Sequence, residues 1–355
     1  MSDSSKDGSA FDALLFLSFG GPDKPEDVRP FLENVTRGRG VPPERLDEVV
    51  EHYLHFGGVS PINRLNLDMI DALRSELDRR GRTDLPIYFG NRNWHPLVED
   101  TVSTMVDDGH RRILVFPTSA WGGYSGCRQY HEDIAAALPE SSDLLLRKLP
   151  HFAEEPAFRG AVADAVRAAF GGFEDGPAPR LVFTAHSIPE SADRAAGPAS
   201  DGGYLYSRQV AAASAAVAEA VGADDFDVVW QSRSGPPQVP WLEPDICDHL
   251  RALSDDGVTR VVVCPIGFIS DHLEVVWDLD SEAADVAAEL GMEYVRVPTA
   301  GTSARFIALI ADLVERYVDG GGDLTVLGCG DNGTACRSDC CVPVRRPGKA
   351  TADSR

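Results

Sequence analysis

The chain has 355 residues, of which 43% are hydrophobic and 25% charged, with 33 basic against 56 acidic side chains and a formal net charge of −23. That mix belongs to a folded chain of one large or two medium domains and excludes a disordered one. The acidity excludes a general nucleic-acid binder and docking on anionic lipid through a basic patch, since both need cationic surface.

No apolar run reaches the roughly 18 residues of a membrane-crossing helix; the best candidate, residues 261–269, contains Pro265 and Gly267. The polar start of the chain lacks the apolar core of a signal peptide, so the expectation is a cytoplasmic protein. Short β-rich apolar runs then recur at residues 13–19, 86–90, 112–118, 144–148, 180–184, 226–231, 260–267 and 293–297. Helix-like stretches lie between them at residues 66–80, 156–170, 208–221 and 243–252, the last with Pro244 placed in its first turn. Strands alternating with helices, the strands almost continuously apolar, predict an α/β fold with parallel sheets. The Gly/Pro-rich run 170–179 is the best boundary between two halves of about four strands each. The tail after Gly320 turns glycine-rich, then cysteine-rich, then basic, with a disordered end expected. Within it, GCGDNG (residues 328–333) matches GxGxxG literally. It is set aside as a dinucleotide site because no βαβ unit can follow it.

Two segments carry residues suited to chemistry. His186, in TAHSIP (residues 184–189), sits at a predicted strand end, where α/β sheets bind ligands; an imidazole there can serve as base or metal ligand. Residues 264–280 (CPIGFISDHLEVVWDLD) follow another strand and bring Asp271, His272, Glu274, Asp278 and Asp280 in succession. On a helix, Glu274, Asp278 and Glu282 fall at i, i+4 and i+8 on one face. Such a row repels itself unless a cation, protons or solvent compensates, which suits a hydrated metal or a proton relay. Glycine-rich loops at residues 19–22, 57–63 and 118–130 could line the same cleft. Four of the seven cysteines, Cys329, Cys336, Cys340 and Cys341, crowd the tail. In a reducing compartment they suggest zinc or an iron–sulfur cluster, the fourth ligand being Cys340 or a loop cysteine such as Cys127.

Taken together, LSFGGP (17–22), GGVSPIN (57–63), TAHSIP (184–189), WQS…PWLEPD (230–245) and GFISDHLEVVWDLD (267–280) make the chain resemble the ferrochelatases, which insert Fe²⁺ into a porphyrin. The match runs over roughly residues 11–320, and the 118–130 loop and cysteine tail resemble the actinobacterial, coproporphyrin III branch. The resemblance implies two Rossmann-like domains (11–172 and 173–320, the last helix able to pack back on the first) and a Cys-rich tail (321–355). It implies His186 and Glu274 as the catalytic pair at the Fe²⁺ substrate, with Asp278 and Glu282 continuing as a relay. Ser60, Tyr130 or Tyr124, and Phe19 would contact the porphyrin, although phenylalanine cannot ligate iron. Arg37, Arg39 and Arg128 are candidates to offset the substrate's carboxylates. It further implies a [2Fe–2S] cluster on Cys127, Cys329, Cys336 and Cys341, with Cys340 as alternative, and hand-off of product to other haem-pathway enzymes. Insertion into protoporphyrin IX, cobalt insertion into sirohydrochlorin and a non-catalytic haem carrier or sensor are the alternative readings.

Overall fold

The computed structural model describes residues 11–344 apart from 39, 140–142, 174–175, 236–237 and 325. Arg39 and the basic end of the tail therefore lie outside the described residues. In chain order the first half contains β1 (Ala13–Ser18), α1 (Val28–Val35), α2 (Pro43–His55), α3 (Ile62–Arg79), β2 (Ile87–Asn91), α4 (Val98–Asp107), β3 (Arg112–Pro117), a π-turn segment (Tyr124–Arg128), α5 (Gln129–Ala137), β4 (Leu145–Lys148) and α6 (Pro156–Phe170). The second contains β5 (Arg180–His186), α7 (Glu190–Arg194), α8 (Leu205–Val221), β6 (Phe226–Gln231), α9 (Ile246–Asp255), β7 (Arg260–Cys264), α10 (Leu273–Val276), a second π-turn segment (Trp277–Glu282), α11 (Ala283–Glu289), β8 (Glu293–Arg296) and α12 (Ala304–Val318).

The strands form two parallel sheets of the same design, ordered β2-β1-β3-β4 and β6-β5-β7-β8. β1 is buried at every position because helices cover both faces, which is why it reads as an unbroken apolar run rather than an alternating one. One apolar core runs from sheet to sheet, joining Phe16 and Phe116 to Leu181, Phe183 and Val262. α12 closes it: the helix is capped by Ser303 and packs against α3 and α6, with Phe306 ringed by Phe152 and Phe158. Arg80 on α3 adds ion pairs to Asp312 (2.6 Å) and Glu315 (2.7 Å) of α12.

Three local readings change. Pro244 is not in the first turn of α9: Asp245 caps that helix by accepting from the Cys247 N–H at 2.8 Å, while the Pro244 carbonyl accepts from Trp230 N–H at 2.9 Å and so belongs alongside β6. β7 stops at Cys264 because Pro265 has no N–H for the ladder. β5 runs one turn of the pleat further than expected, so His186 is its last residue. The tail docks on the edge strand β4: Asn332 N–H donates to Leu146 O at 2.9 Å, Leu146 N–H donates to the Asn332 side chain at 2.8 Å, and Arg147 pairs with Asp331.

Candidate active site

In each sheet the chain reverses direction between the first strand and the third. The crevice beyond the carboxyl ends of those two strands is where open α/β sheets take ligands. In the second sheet these strands are β5 and β7. β5 ends in His186, and the loop leaving β7 leads into α10 with Glu274. Close packing seats the loop after β7 against the end of β5. Gly267 lies so tightly on Ala185 that a Cβ there would come within 2.6 Å of its Cα. The Gly267 carbonyl also accepts from Trp121 Nε1 at 2.9 Å, which ties the first half to this loop. The His186 ring donates Nδ1–H to the Ser187 carbonyl, so Nε2 carries the lone pair in the neutral imidazole. Its own carbonyl accepts from the Tyr206 hydroxyl at 2.8 Å. His272 is within electrostatic reach of both Glu274 and His186, and burial pushes its pKa down against the opposing pull of Glu274.

The acidic row survives with a twist in its geometry. Glu274 is on α10, and Asp278 and Glu282 follow in the π-turn segment. A turn closed by i→i+5 bonds is wider, so residues four apart drift less around its axis than on an α-helix. Glu274 and Asp278 are half-buried and Glu282 is exposed, which makes the row run from the interior outward. Burial pushes Asp278 up to about 7, with Glu274 and Glu282 adding to the rise; Ser232 and Gln231 oppose it. Gln231 donates to Asp278 Oδ2 at 3.1 Å, Ser232 donates to the same oxygen, and Thr184 fixes the Gln231 amide at 2.7 Å. Asp271 and Asp280 belong elsewhere: both pair with Arg296 (2.9 Å each) and serve the fold.

α2 forms the opposite wall. Leu273 inserts among Val28, Phe31, Leu32, Leu46 and Tyr53. His52 stacks on Trp277 with ring centroids 3.9 Å apart and planes 8° from parallel, and His55 meets the same indole edge-on at 5.7 Å. Tyr53 lies against Glu274 and Asp278, whose charges add to burial in pushing its phenol up. None of these contacts had a signal in the sequence, because α2 is distant in the chain and only amphipathic.

The first sheet's reversal point carries the other expected loops. Ser60 is buried where its N–H donates to Pro22 O at 2.8 Å, against Gly21. Phe19 packs edge-on to Phe31. Tyr130 is buried at 3% exposure, and Arg92, unforeseen, lies over its ring at 4.5 Å while paired to Asp133. Tyr124 is bonded to Glu132 at 2.9 Å. Arg37 lines a cavity of about 510 Å³ with Glu33, Asn34, Trp94 and His95. Arg128 departs from expectation: its guanidinium donates to the carbonyls of Ser338 (3.1 Å) and Cys340 (2.9 Å), so it clamps the tail instead of standing ready for a substrate carboxylate.

A family model described as ferrochelatase matches residues 11–318. The chain belongs to the ferrochelatase family. Among curated relatives of this ferrochelatase, the coproporphyrin III ferrochelatase of Nocardia farcinica is 60% identical, covering 96% of this chain and 99% of that protein. The one of Mycobacteroides abscessus is 56% identical, covering 93% and 98%. Among solved structures, the sirohydrochlorin chelatase of Bacillus subtilis subspecies spizizenii in complex with cobalt superposes with a TM-score of 0.51 at 11% identity, covering 86% of this chain and 94% of that one. That likeness is one of fold.

The ferrochelatase family's two-sheet body here carries a cysteine-bearing tail. Cys127, in the first π-turn segment, is within electrostatic reach of Cys336 and Cys341, and Cys329 of Cys127 and Cys336. Cys340 and Cys341 have sulfurs 3.6 Å apart, and the Gly197 N–H donates to Cys341 Sγ at 3.2 Å. Among the described residues no three metal-ligating side chains are disposed to hold a single metal ion. No helix among them is long and apolar enough to cross a membrane.

Proposed function

We propose that this ferrochelatase inserts Fe²⁺ into coproporphyrin III to give Fe-coproporphyrin III, with His186 and Glu274 as the catalytic pair and Asp278 and Glu282 as the outward relay. What supports it is that His186 ends β5 while the acidic row follows the neighbouring strand β7, with His272 in electrostatic reach of both His186 and Glu274; the shared name of the relatives supports coproporphyrin III as substrate. Insertion replaces two pyrrole N–H protons by Fe²⁺ and changes no oxidation state. Binding energy in a rigid cleft is used to bend the macrocycle and expose its lone pairs. His186 Nε2, with one lone pair, accepts the two protons one at a time, releasing the first before the second is taken; Glu274 strips water from the entering iron. Asp278, ionising near neutrality, can both take and release a proton, and exposed Glu282 returns it to solvent. A cytoplasmic location and hand-off of product to later haem-pathway enzymes are part of this proposal.

An anaerobic insertion assay comparing coproporphyrin III with protoporphyrin IX tests the substrate, and Co²⁺ with sirohydrochlorin tests the fold-based alternative. Glu274→Gln and His186→Ala are expected to slow insertion by roughly 10²–10⁴-fold while porphyrin binding, read by fluorescence quenching, persists. Turnover like wild type in either variant sinks the assignment.

The tail cysteines fit a [2Fe–2S] cluster on Cys127, Cys329, Cys336 and Cys341. Such a cluster takes two thiolates at each iron, so its four sulfurs need not converge on one point. Hydrogen bonding among the three thiols pushes Cys336 and Cys341 down and Cys340 up, so Cys340 stays as the alternative ligand. Burial pushes Cys127 up to about 11 and Cys329 up to about 12; thiols held that high ionise against a bound metal. The cluster would supply a cross-link between tail and body. Iron and acid-labile sulfide in the purified protein are the expected finding, and zinc without sulfide overturns it.

A further inference from the structure

Ser232, the residue that follows β6, has a backbone φ of 60°. Residues other than glycine, asparagine and aspartate seldom adopt that left-handed conformation, because the Cβ crowds a carbonyl oxygen. The neighbouring strands explain why the chain turns here. Gln231 lies opposite His186 in the β5–β6 ladder, its carbonyl accepts from the Ser187 N–H at 2.7 Å, and the Trp230 N–H donates to Pro244 O at 2.9 Å. They do not explain why the turning residue is serine, since glycine would adopt the same φ at no steric cost. The side chain supplies that reason. The Ser232 hydroxyl donates to Asp278 Oδ2, and the Gln231 amide donates to the same oxygen at 3.1 Å. Thr184, on the strand of His186, holds the other end of that amide at 2.7 Å. Thr184 and Gln231 are both buried, so water does not compete for these bonds. Both donors meet Oδ2, and no donor among the described residues reaches Oδ1.

We propose that Ser232 is a positioning residue for iron insertion: its left-handed backbone aims a hydroxyl that, with the Gln231 amide, holds the Asp278 carboxylate by one oxygen and leaves Oδ1 to carry the relayed proton. The proposal rests on the reading of Asp278 as part of the relay. An oxygen that already accepts two hydrogen bonds has no lone pair to spare in the carboxylate plane, so an arriving proton forms its O–H bond at Oδ1. That bond breaks when the proton passes on to Glu282, and Asp278 returns to the carboxylate with no net change of charge over the cycle. With only the Gln231 amide left, the carboxylate turns more freely about χ2, whose wells are broad, and transfer through a misaligned oxygen is slower. Backbone strain of this kind persists where the surroundings over-determine it and the site uses it.

The test compares Ser232→Gly, Ser232→Ala, Asp278→Asn and the double variant Ser232→Gly/Asp278→Asn in the full-length protein, by anaerobic Fe²⁺ insertion into coproporphyrin III and by thermal unfolding. Glycine removes the hydroxyl and relieves the backbone; alanine removes the hydroxyl and keeps the strain. Both are expected to lower kcat by roughly tenfold, the share of a hydrogen bond to a charged group, with the porphyrin KM unchanged. Their stabilities should part, the alanine variant unfolding at a lower temperature than the glycine variant, which matches or exceeds wild type. In the double variant the glycine substitution should cost nothing beyond Asp278→Asn, because the two act through one carboxyl group. Asp278→Asn by itself judges the relay reading: insertion at the wild-type rate removes the relay, and the proposal with it. With Asp278→Asn slow, a Ser232→Gly enzyme of wild-type kcat overturns the proposal and leaves the relay standing. So does a glycine loss that multiplies in full with the Asp278→Asn loss, or one that tracks stability so that the alanine variant alone is slow.

Discussion

At the scale of single residues, Asp278 is the most informative group. Its ordinary pKa of 3.8 is raised to about 7 by burial and by the neighbouring carboxylates. As a proton acceptor it must be ionised, so insertion should rise with pH through about 7; Asp278→Asn should remove that limb from the kcat/KM profile. The same shift has a sign for stability. The folded state holds the proton more tightly than the unfolded chain, so the contribution is fully present below pH 3.8 and is lost as pH rises toward 7. Denaturant titrations at acid and at mildly alkaline pH should therefore show Asp278→Asn gaining on wild type as pH rises. Equal differences at both ends would mean that Asp278 titrates normally. The carboxylates in this segment looked alike in the sequence. Arg296 separates them by neutralising Asp271 and Asp280 and leaving Glu274, Asp278 and Glu282 to the crevice. Arg296 lies on β8, too far along the chain for local pattern to reveal its partners.

At the scale of elements, strand-end loops hold the pair and helix packing closes it in. Gly267→Ala would drive a methyl into Ala185. It is expected to lower both thermal stability and kcat, because the loop that aims Glu274 moves away from the strand that holds His186. Leu273 is 3% exposed and joins α10 to α1 and α2. Leu273→Ala should cost about 2–5 kcal/mol in denaturant unfolding and impair insertion more than a matched core truncation remote from the site, such as Val102→Ala on α4. The central strands β1, β3, β5 and β7 were visible as apolar runs because parallel strands covered on both faces keep no polar alternation, whereas edge strands such as β4 and β8 carry charged residues and are only partly covered. The π-turn segments were not visible, since periodicity tuned to the α-helix does not distinguish a turn widened by one residue. The start of α9 was misread for a related reason: Pro244 resembles a first-turn proline until its carbonyl is seen pairing with β6.

At the scale of the molecule, one core spanning both sheets predicts a single cooperative transition despite the duplicated architecture. Phe306→Ala, on the helix that joins the halves, should cost about 3–5 kcal/mol and lower the midpoint without splitting it. Two separated transitions by calorimetry and fluorescence would mean independent halves. The charge of −23 also acts globally. Association of a tetracarboxylate porphyrin should speed up with salt as the repulsive field is screened, measured by stopped-flow quenching. Arg128, expected beside that substrate, instead holds the tail, so fewer local cations remain to counter the field.

By itself the sequence determined what local pattern and residue chemistry can carry: the α/β class, the strand positions, His186 and the acidic row, and a cysteine-rich tail. Tertiary structure decided which of these act together. The order of strands in the second sheet sets the end of β5, with His186, beside β7, whose following loop leads to Glu274; α2 packs on that segment from far away in the chain, and the tail docks on β4 through Asp331 and Asn332. The physical reason is one of range. Apolar periodicity and turn chemistry act between neighbours in the chain, whereas burial, charge pairing and the shift of a pKa depend on what folding brings near, and that is set by packing across hundreds of residues.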